Sequence, residues 1–241
     1  MKTAIITGAS RGIGRAIARS LAELGCDLFL TGRNEEELYK TRELILSQPG
    51  AKTDNKIVIY PRDLTELESI DNLFVAFEKS FNNLDILVNN AGIAYSRVFG
   101  EYNIDDWNRV MNINARAPFF LMQKAVPFLE KADPGFIINI CSVVSQKGYA
   151  EQSLYTASKH ALYGITKAVA KDLQNKNIRV HAILPGGVDT DMVKAVRPDI
   201  DTSEMITPEE IAETITFLLK MNGNAVIDEI SIRRKTKLPW A

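Results

Sequence analysis

Along the chain, short apolar runs rich in β-branched residues alternate with longer stretches of helical period. The runs fall at 3–7, 27–31, 56–60, 85–89, 136–141, 178–184 and 225–232. The helical stretches fall near 12–24, 35–47, 66–81, 105–130, 152–175 and 208–220. In the first stretch Ile13, Ile17, Leu21 and Leu24 recur at helical spacing. Strands separated by helices build βαβ units, so the pattern predicts an α/β fold with a mostly parallel, seven-stranded sheet and helices on both faces. Ile5-Ile6, Ile86-Leu87-Val88 and Ile137-Ile138 are apolar on both faces, as buried central strands require. Residues 187–206 break the pattern with Gly187, Pro198, several acids and weak periodicity, and are expected to form a functional loop able to close over a ligand. There is no internal repeat, low-complexity segment or linker, so 1–241 is expected to form a single domain.

Composition narrows the class without naming a chemistry. The 29 basic and 30 acidic residues leave a net charge of -1, which argues against nucleic acid as the main partner. Two cysteines, Cys26 and Cys141, with no Cys-x-x-Cys, fit a reduced, cytoplasmic protein rather than a disulfide scaffold. The opening run Ala4-Ile5-Ile6 is too short for a signal peptide, and no stretch reaches the length of a membrane span. The basic segment Arg233-Arg234-Lys235-Thr236-Lys237 reads as a solvated tail. His160 and His181 stand apart from any ligand cluster, so no metal is expected.

Chemistry enters at the first strand–helix turn. Thr7-Gly8-Ala9-Ser10-Arg11-Gly12-Ile13-Gly14 ends a strand and opens a helix. Glycines there allow a tight turn and close backbone approach to a pyrophosphate, and the helix start supplies free N–H groups and positive dipole. The turn predicts a Rossmann-type, doubly wound sheet that binds a dinucleotide. No Gly-Lys-Ser/Thr follows, which disfavours a nucleoside-triphosphate loop. The spacing Gly-x-x-x-Gly-x-Gly resembles the short-chain dehydrogenase/reductase family, whose turn reads Thr-Gly-x-x-x-Gly-x-Gly.

The same resemblance extends along the chain. Asn89-Asn90-Ala91-Gly92 looks like the family's Asn-Asn-Ala-Gly motif at the end of a strand. Tyr155 and Lys159 lie four apart and share one helical face, and Ser142 stands thirteen positions before Tyr155, as the family's serine does. The resemblance implies Tyr155 as acid/base, Lys159 as the cation beside it, and Ser142 as the group that orients the substrate oxygen. One ammonium about 4 Å from the phenol is worth roughly 4 kcal/mol at an effective dielectric of ~20, enough to bring the phenol toward neutrality. Tyr163 and Lys167 repeat the spacing on the same helix, but eight residues on is about 12 Å further from the carboxyl ends of the strands, so Tyr163 reads as packing or interface. Seven positions after Trp107, Asn114 matches the family's active-site asparagine, with the implied role of holding a proton-relaying water.

The resemblance also implies the cofactor contacts: Gly8, Ser10, Arg11, Gly12, Ile13 and Gly14 in the turn; Asp63 and Leu64 at the adenine; Asn90, Ala91 and Gly92; Tyr155 and Lys159; and Pro185, Gly186, Val188 and Thr190 at the nicotinamide. After the second strand, Gly32 stands where NAD-selective proteins place an acid, and Arg33 follows. Arg33 and Arg11 match basic positions of the family's NADP-dependent members, so NADP(H) is expected over NAD(H). The expected partner is a small carbonyl or alcohol, met by walls such as Tyr95, Val144, Tyr149, Met192, Val193 and Val196. A homodimer or homotetramer is expected through 105–130 and 152–175. A 3-oxoacyl-thioester reductase is the alternative, weakened because the last strand reads Asp228-Glu229-Ile230-Ser231 where many members have Val-Asp-Gly-Gly. A catalytically silent dinucleotide sensor is the alternative of another class.

Overall fold

The computed structural model describes residues 1–48, 55–196, 199, 201–221 and 223–239 of the chain. Seven strands run β1 (Thr3–Thr7), β2 (Asp27–Gly32), β3 (Ile57–Pro61), β4 (Ile86–Asn89), β5 (Gly135–Ile140), β6 (Ile178–Pro185) and β7 (Glu229–Ile232). All pair in parallel, in the order β3-β2-β1-β4-β5-β6-β7. The helices are α1 (Gly12–Glu23), α2 (Glu35–Ser47), α3 (Leu67–Glu78), α4 (Ile104–Met111), α5 (Ala117–Leu129), α6 (Ser153–Asp172), α7 (Asp191–Val196) and α8 (Pro208–Leu219). This is the doubly wound Rossmann-type architecture that the alternation predicts.

Side chains alternate across each strand, so the central strands feed two cores. Ala4 and Ile6 of β1 pack with α1, α2 and α8, whereas Ile5 packs with α3 and α5 and with Phe29, Phe77 and Phe81. The helix ends follow local chemistry. Gly25, at φ +81, closes α1 as its N–H bonds Ala22 O (2.9 Å) and that of Cys26 bonds Leu21 O (3.0 Å). Asn34 caps α2, and reciprocal capping pairs open α4 (Asn103 with Asp106) and α8 (Thr207 with Glu210).

Three elements differ from the expected pattern. The helix expected over 105–130 is two helices joined by a widened π turn at Asn112–Arg116, which carries Asn114. The last strand begins at Glu229 rather than 225, because the His181 ring takes the Ile227 carbonyl at 2.6 Å in place of a strand partner. Within the expected loop 187–206, α7 forms, and the base is closed by a bridge between Val188 and Ile206. Arg197, Pro198 and Ile200 of that segment lie outside the described residues, as does the Val196 side chain.

Between β1 and β4 the strand order reverses, so the connections that leave these two strands run to opposite sides and open a crevice at their carboxyl ends. Gly14 is the tightest point. A Cβ there would stand 2.2 Å from Gly8 O, a backbone atom that cannot give way. Gly164, exposed in the middle of α6, has nothing within 4 Å of its Cβ position. Gly164→Ala should therefore raise stability by about 0.5–1 kcal/mol through its backbone entropy, while Gly14→Ala should cost more than about 2 kcal/mol. Thermal melts of the two variants check this; a Gly14→Ala protein as stable as the wild type would contradict the close approach.

Candidate active site

The crevice is a cleft of about 790 Å³ at the carboxyl ends of the strands. Its floor is the glycine turn, held against the loop after β4 by a compact set of hydrogen bonds. The Thr7 hydroxyl donates to Val88 O (3.2 Å) and accepts from the N–H groups of Asn90 and Ala91 (3.0 Å each). The Asn90 amide donates to Thr7 O (2.9 Å) and Gly8 O (3.1 Å). Gly8 sits at φ +65, where a Cβ would meet Ala91 Cα at 2.9 Å. Across the cleft, Thr190 Cγ2 lies 3.1 Å from the Cβ position of Gly12, and Asp191 meets the Arg11 guanidinium at 3.2 Å.

The expected cofactor residues Gly8, Ser10, Arg11, Gly12, Ile13, Arg33, Asp63, Leu64, Asn90, Ala91, Gly92, Pro185, Gly186, Val188 and Thr190 all line this cleft, together with Ser142, Tyr155 and Lys159. Gly14 lies beneath the turn as a packing position. Asn114 stands behind the wall, fully buried; its Oδ1 accepts from Ile93 N (2.9 Å), and its Nδ2 donates to Ile93 O (2.8 Å) and Ser158 Oγ (2.9 Å). Both ends of the amide are thus engaged in fixing the loop after β4. The Cβ position of Gly92 is 3.1 Å from Asn114 Oδ1 and 3.7 Å from Lys159 Nζ, so the three converge at one point.

Lys159 is 4% exposed, and its ammonium donates to Ile140 O at 2.8 Å and lies 5.9 Å from the Tyr155 ring centre. The Ser142 hydroxyl accepts from Val144 N (3.3 Å) and stands 3.5 Å from Pro185 O at the end of β6. Tyr163 lies outside the cleft; its hydroxyl donates to Glu229 and the Lys167 ammonium sits 4.9 Å over its ring. His181 stacks on Phe136, and burial lowers its pKa. Of the expected substrate walls, Met192 and Val193 line the cleft, and Tyr95 is not among its lining residues. Tyr149 faces a separate shallow hollow and Val144 is buried.

Motif spacing passes over Arg62 and Arg109, which also line the cleft. Arg62 directly follows β3 and lies 5.5 Å over the Tyr60 ring, so its place at the carboxyl end of a strand was the available signal. Arg109 comes from the last turn of α4, where nothing in the local sequence marks it.

A family model for short chain dehydrogenases matches residues 2–201. The chain belongs to the short-chain dehydrogenase family. An uncharacterized oxidoreductase of Staphylococcus aureus is 32% identical over 232 residues, 96% of each chain. Two solved structures match over nearly their full length. A metagenomic short-chain oxidoreductase in complex with NADP is 29% identical with a TM-score of 0.83, covering 97% of each chain. The alcohol dehydrogenase of the archaeon Thermococcus sibiricus, complexed with 5-hydroxy-NADP, is 26% identical with a TM-score of 0.88, covering 99% of each. The relatives of this chain make it an oxidoreductase of that family. Among the described residues, no helix is long and apolar enough to cross a membrane.

The electrostatics of this dehydrogenase differ from the expectation that Lys159 draws Tyr155 toward neutrality. Burial dominates and pushes the phenol up to about 12, with a hydrogen bond from Ser142 opposing it. Burial likewise pushes the Lys159 ammonium down to about 8. The Lys159 ammonium is buried and its hydrogen bond goes to a neutral carbonyl, which does not offset the lost hydration.

The lysine shift has a consequence for stability. Between about pH 8 and 10.5 the unfolded chain holds the Lys159 proton more tightly than the folded one, so this group makes stability rise with pH in that window. The full displacement corresponds to about 3 kcal/mol. Relative to Lys159→Met, the wild type should gain roughly 2–3 kcal/mol of unfolding free energy from pH 7 to pH 10. Denaturant melts of both proteins across that range measure the difference; a difference independent of pH would contradict the burial of a charged lysine.

Proposed function

We propose that this short-chain dehydrogenase is an NADPH-dependent reductase of ketones or aldehydes, with Tyr155 as general acid. The observation that carries this reading is the meeting of Ser142, Tyr155 and Lys159 with the glycine turn in one cleft. The residues present fit a dinucleotide: a Cβ at Gly14 would fill the space that lets the turn close on itself, and Gly8 and Gly12 both adopt positive φ. When bound, the reduced nicotinamide supplies a hydride to the carbonyl carbon.

The chain's own groups handle the proton. With its pKa near 12, the Tyr155 phenol is protonated at neutral pH and is ready to give its proton to the carbonyl oxygen. Ser142 orients that oxygen. The phenolate left behind faces the Lys159 ammonium, which lies 5.9 Å from the centre of its ring. Lys159, with a pKa near 8, can pass a proton on at physiological pH. Asn114 holds the loop at Ile93 and so keeps Gly92 close to Lys159. Ile93, Val188, Met192 and Val193 give the substrate end an apolar wall, which suits an apolar or aromatic carbonyl compound. In this reading the chain works as one domain, with 187–206 as a covering segment. Exposed Trp107 and Phe119 favour assembly into a dimer or tetramer through α4, α5 and α6.

Preference for NADPH rests on the residues around the adenosine end. Gly32 carries no acid, and Arg33 and Arg62 both line the cleft. Arg33 is only 4.0 Å from Asp63, and Arg11 is paired with an exposed Asp191, so neither pair holds its guanidinium strongly. Glu37 also reaches the cleft, but Arg15 at 2.7 Å and Lys40 at 2.8 Å occupy its carboxylate and hold it below the usual range.

Two measurements test this reading. Tyr155→Phe should lower turnover by at least ~10²-fold while keeping the fold and cofactor binding, and Tyr163→Phe should keep most activity. Equal effects in the two variants would contradict the placement of the acid. The ratio of kcat/KM for NADPH over NADH should exceed roughly ten, the scale of one charge-assisted hydrogen bond. It should collapse in Gly32→Asp/Arg33→Ala. The Cβ position of Gly32 is 3.5 Å from its nearest neighbour, Ser10 Oγ, so the new side chain has room. A wild type that prefers NADH would overturn the NADPH assignment.

A further inference from the structure

Among the described residues, two non-glycine residues have positive φ: Asn177 at 51° and Glu151 at 62°. Asparagine tolerates the left-handed region, but glutamate has no local hydrogen bond to favour it. Such a conformation persists only where surrounding contacts over-determine it. Glu151 has those contacts. Its carbonyl accepts from the Arg97 N–H (3.0 Å) and from the Tyr102 hydroxyl (2.8 Å), and its carboxylate accepts from the Ser96 hydroxyl (3.1 Å). All three donors belong to the arm 93–103 that follows β4. Glu151 itself belongs to the segment between Ser142 and the start of α6, four residues before Tyr155.

The arm is held at its other end as well. Ile93 is fixed by Asn114, and Arg97 pairs with Asp106 of α4 at 3.3 Å, within the capping pair formed by Asp106 and Asn103. Ile93, where the arm starts, lines the cleft; without the Glu151 contacts the rest of the arm would be held by the Arg97–Asp106 pair, the Asn103 cap and the bond of Tyr102 to Tyr95 O (3.3 Å).

We propose that Glu151 is a positioning residue. By clipping the arm 93–103 to the segment before Tyr155, it sets the width of the substrate entrance and the approach of the carbonyl to Tyr155. The left-handed backbone turns the Glu151 carbonyl outward to meet the arm. This assignment rests on reading the cleft as a carbonyl-reduction site.

The test compares Tyr102→Phe, Glu151→Gly and Glu151→Gln with the wild type. Tyr102→Phe removes the hydroxyl that donates to the Glu151 carbonyl (2.8 Å) and, at longer range, to Tyr95 O (3.3 Å). Glu151→Gly relaxes the left-handed backbone and removes the bond to Ser96. Glu151→Gln keeps an acceptor for Ser96. In Tyr102→Phe and Glu151→Gly, KM for the carbonyl substrate should rise about three- to tenfold, the scale of one lost hydrogen bond, with kcat and the Kd for NADPH within about twofold. Glu151→Gln should stay close to the wild type. Glu151→Gly should melt no lower than the wild type, because glycine accepts positive φ without strain. An unchanged KM, or a KM that rises together with the Kd for NADPH, would overturn the assignment. Hydrogen exchange reads the clip apart from turnover: residues 95–102 should exchange faster in Tyr102→Phe, with α1 unchanged. If the wild type binds NADPH but reduces no carbonyl in a substrate panel, the proposed function fails and the exchange result alone decides the clip. Unchanged exchange at 95–102 then overturns it.

Discussion

The close approach of two backbone segments at the centre of the sheet governs the rest of the site. The turn after β1 and the loop after β4 touch through Gly8, Gly14, Ala91 and the Asn90 amide, with Thr7 as the shared hydrogen-bonding partner. Side chains larger than hydrogen at Gly8 and Gly14 would drive the segments apart. The contact therefore decides where α1 begins, how its free N–H groups face the cleft, and where the loop carrying Ile93 runs. Because β1 lies between β2 and β4, the same contact joins the two halves of the sheet.

Buried polar side chains link the elements beneath the cleft. The Asn89 amide donates to Asn139 Oδ1, and the Asn139 amide to Thr166 Oγ1, both at 2.8 Å, tying β4 and β5 to α6. Asn114 ties α6, through Ser158, to the loop at Ile93. Directional bonds of this kind favour one arrangement of the elements they join. Lys159 differs: its buried charge costs stability near neutral pH and has one neutral hydrogen-bond acceptor, Ile140 O.

The cleft has two ends of different construction. The end at the glycine turn is built from short turns directly attached to strand ends, so its positions follow the strands closely. The other end draws on longer segments, 93–103, 141–152 and the described part of 187–206. Glu151, Tyr102 and Arg97 join the first two. In the third, the base is closed by Gly187, Asp189 and Ile206 through backbone hydrogen bonds of 2.9–3.1 Å.

What the sequence by itself determined was everything encoded over a few residues. Hydrophobic periodicity set the strands and most helices, because burial on one face of a helix or both faces of a strand leaves a local pattern. The glycine turn was legible because only glycine fits a positive φ and a close backbone contact. Tyr155 and Lys159 were legible as a pair because four residues is one helical turn. Tertiary structure decided the rest. The π turn at Asn112–Arg116 depends on Asn114 finding Ile93, twenty-one positions away in the chain. Arg62 and Arg109 reach the cleft only because their elements are brought together. The left-handed Glu151 is fixed by donors some fifty residues earlier. The titration of Tyr155 and Lys159 was decided last, since spacing sets how near two groups lie but only the packed protein sets how much water each has lost.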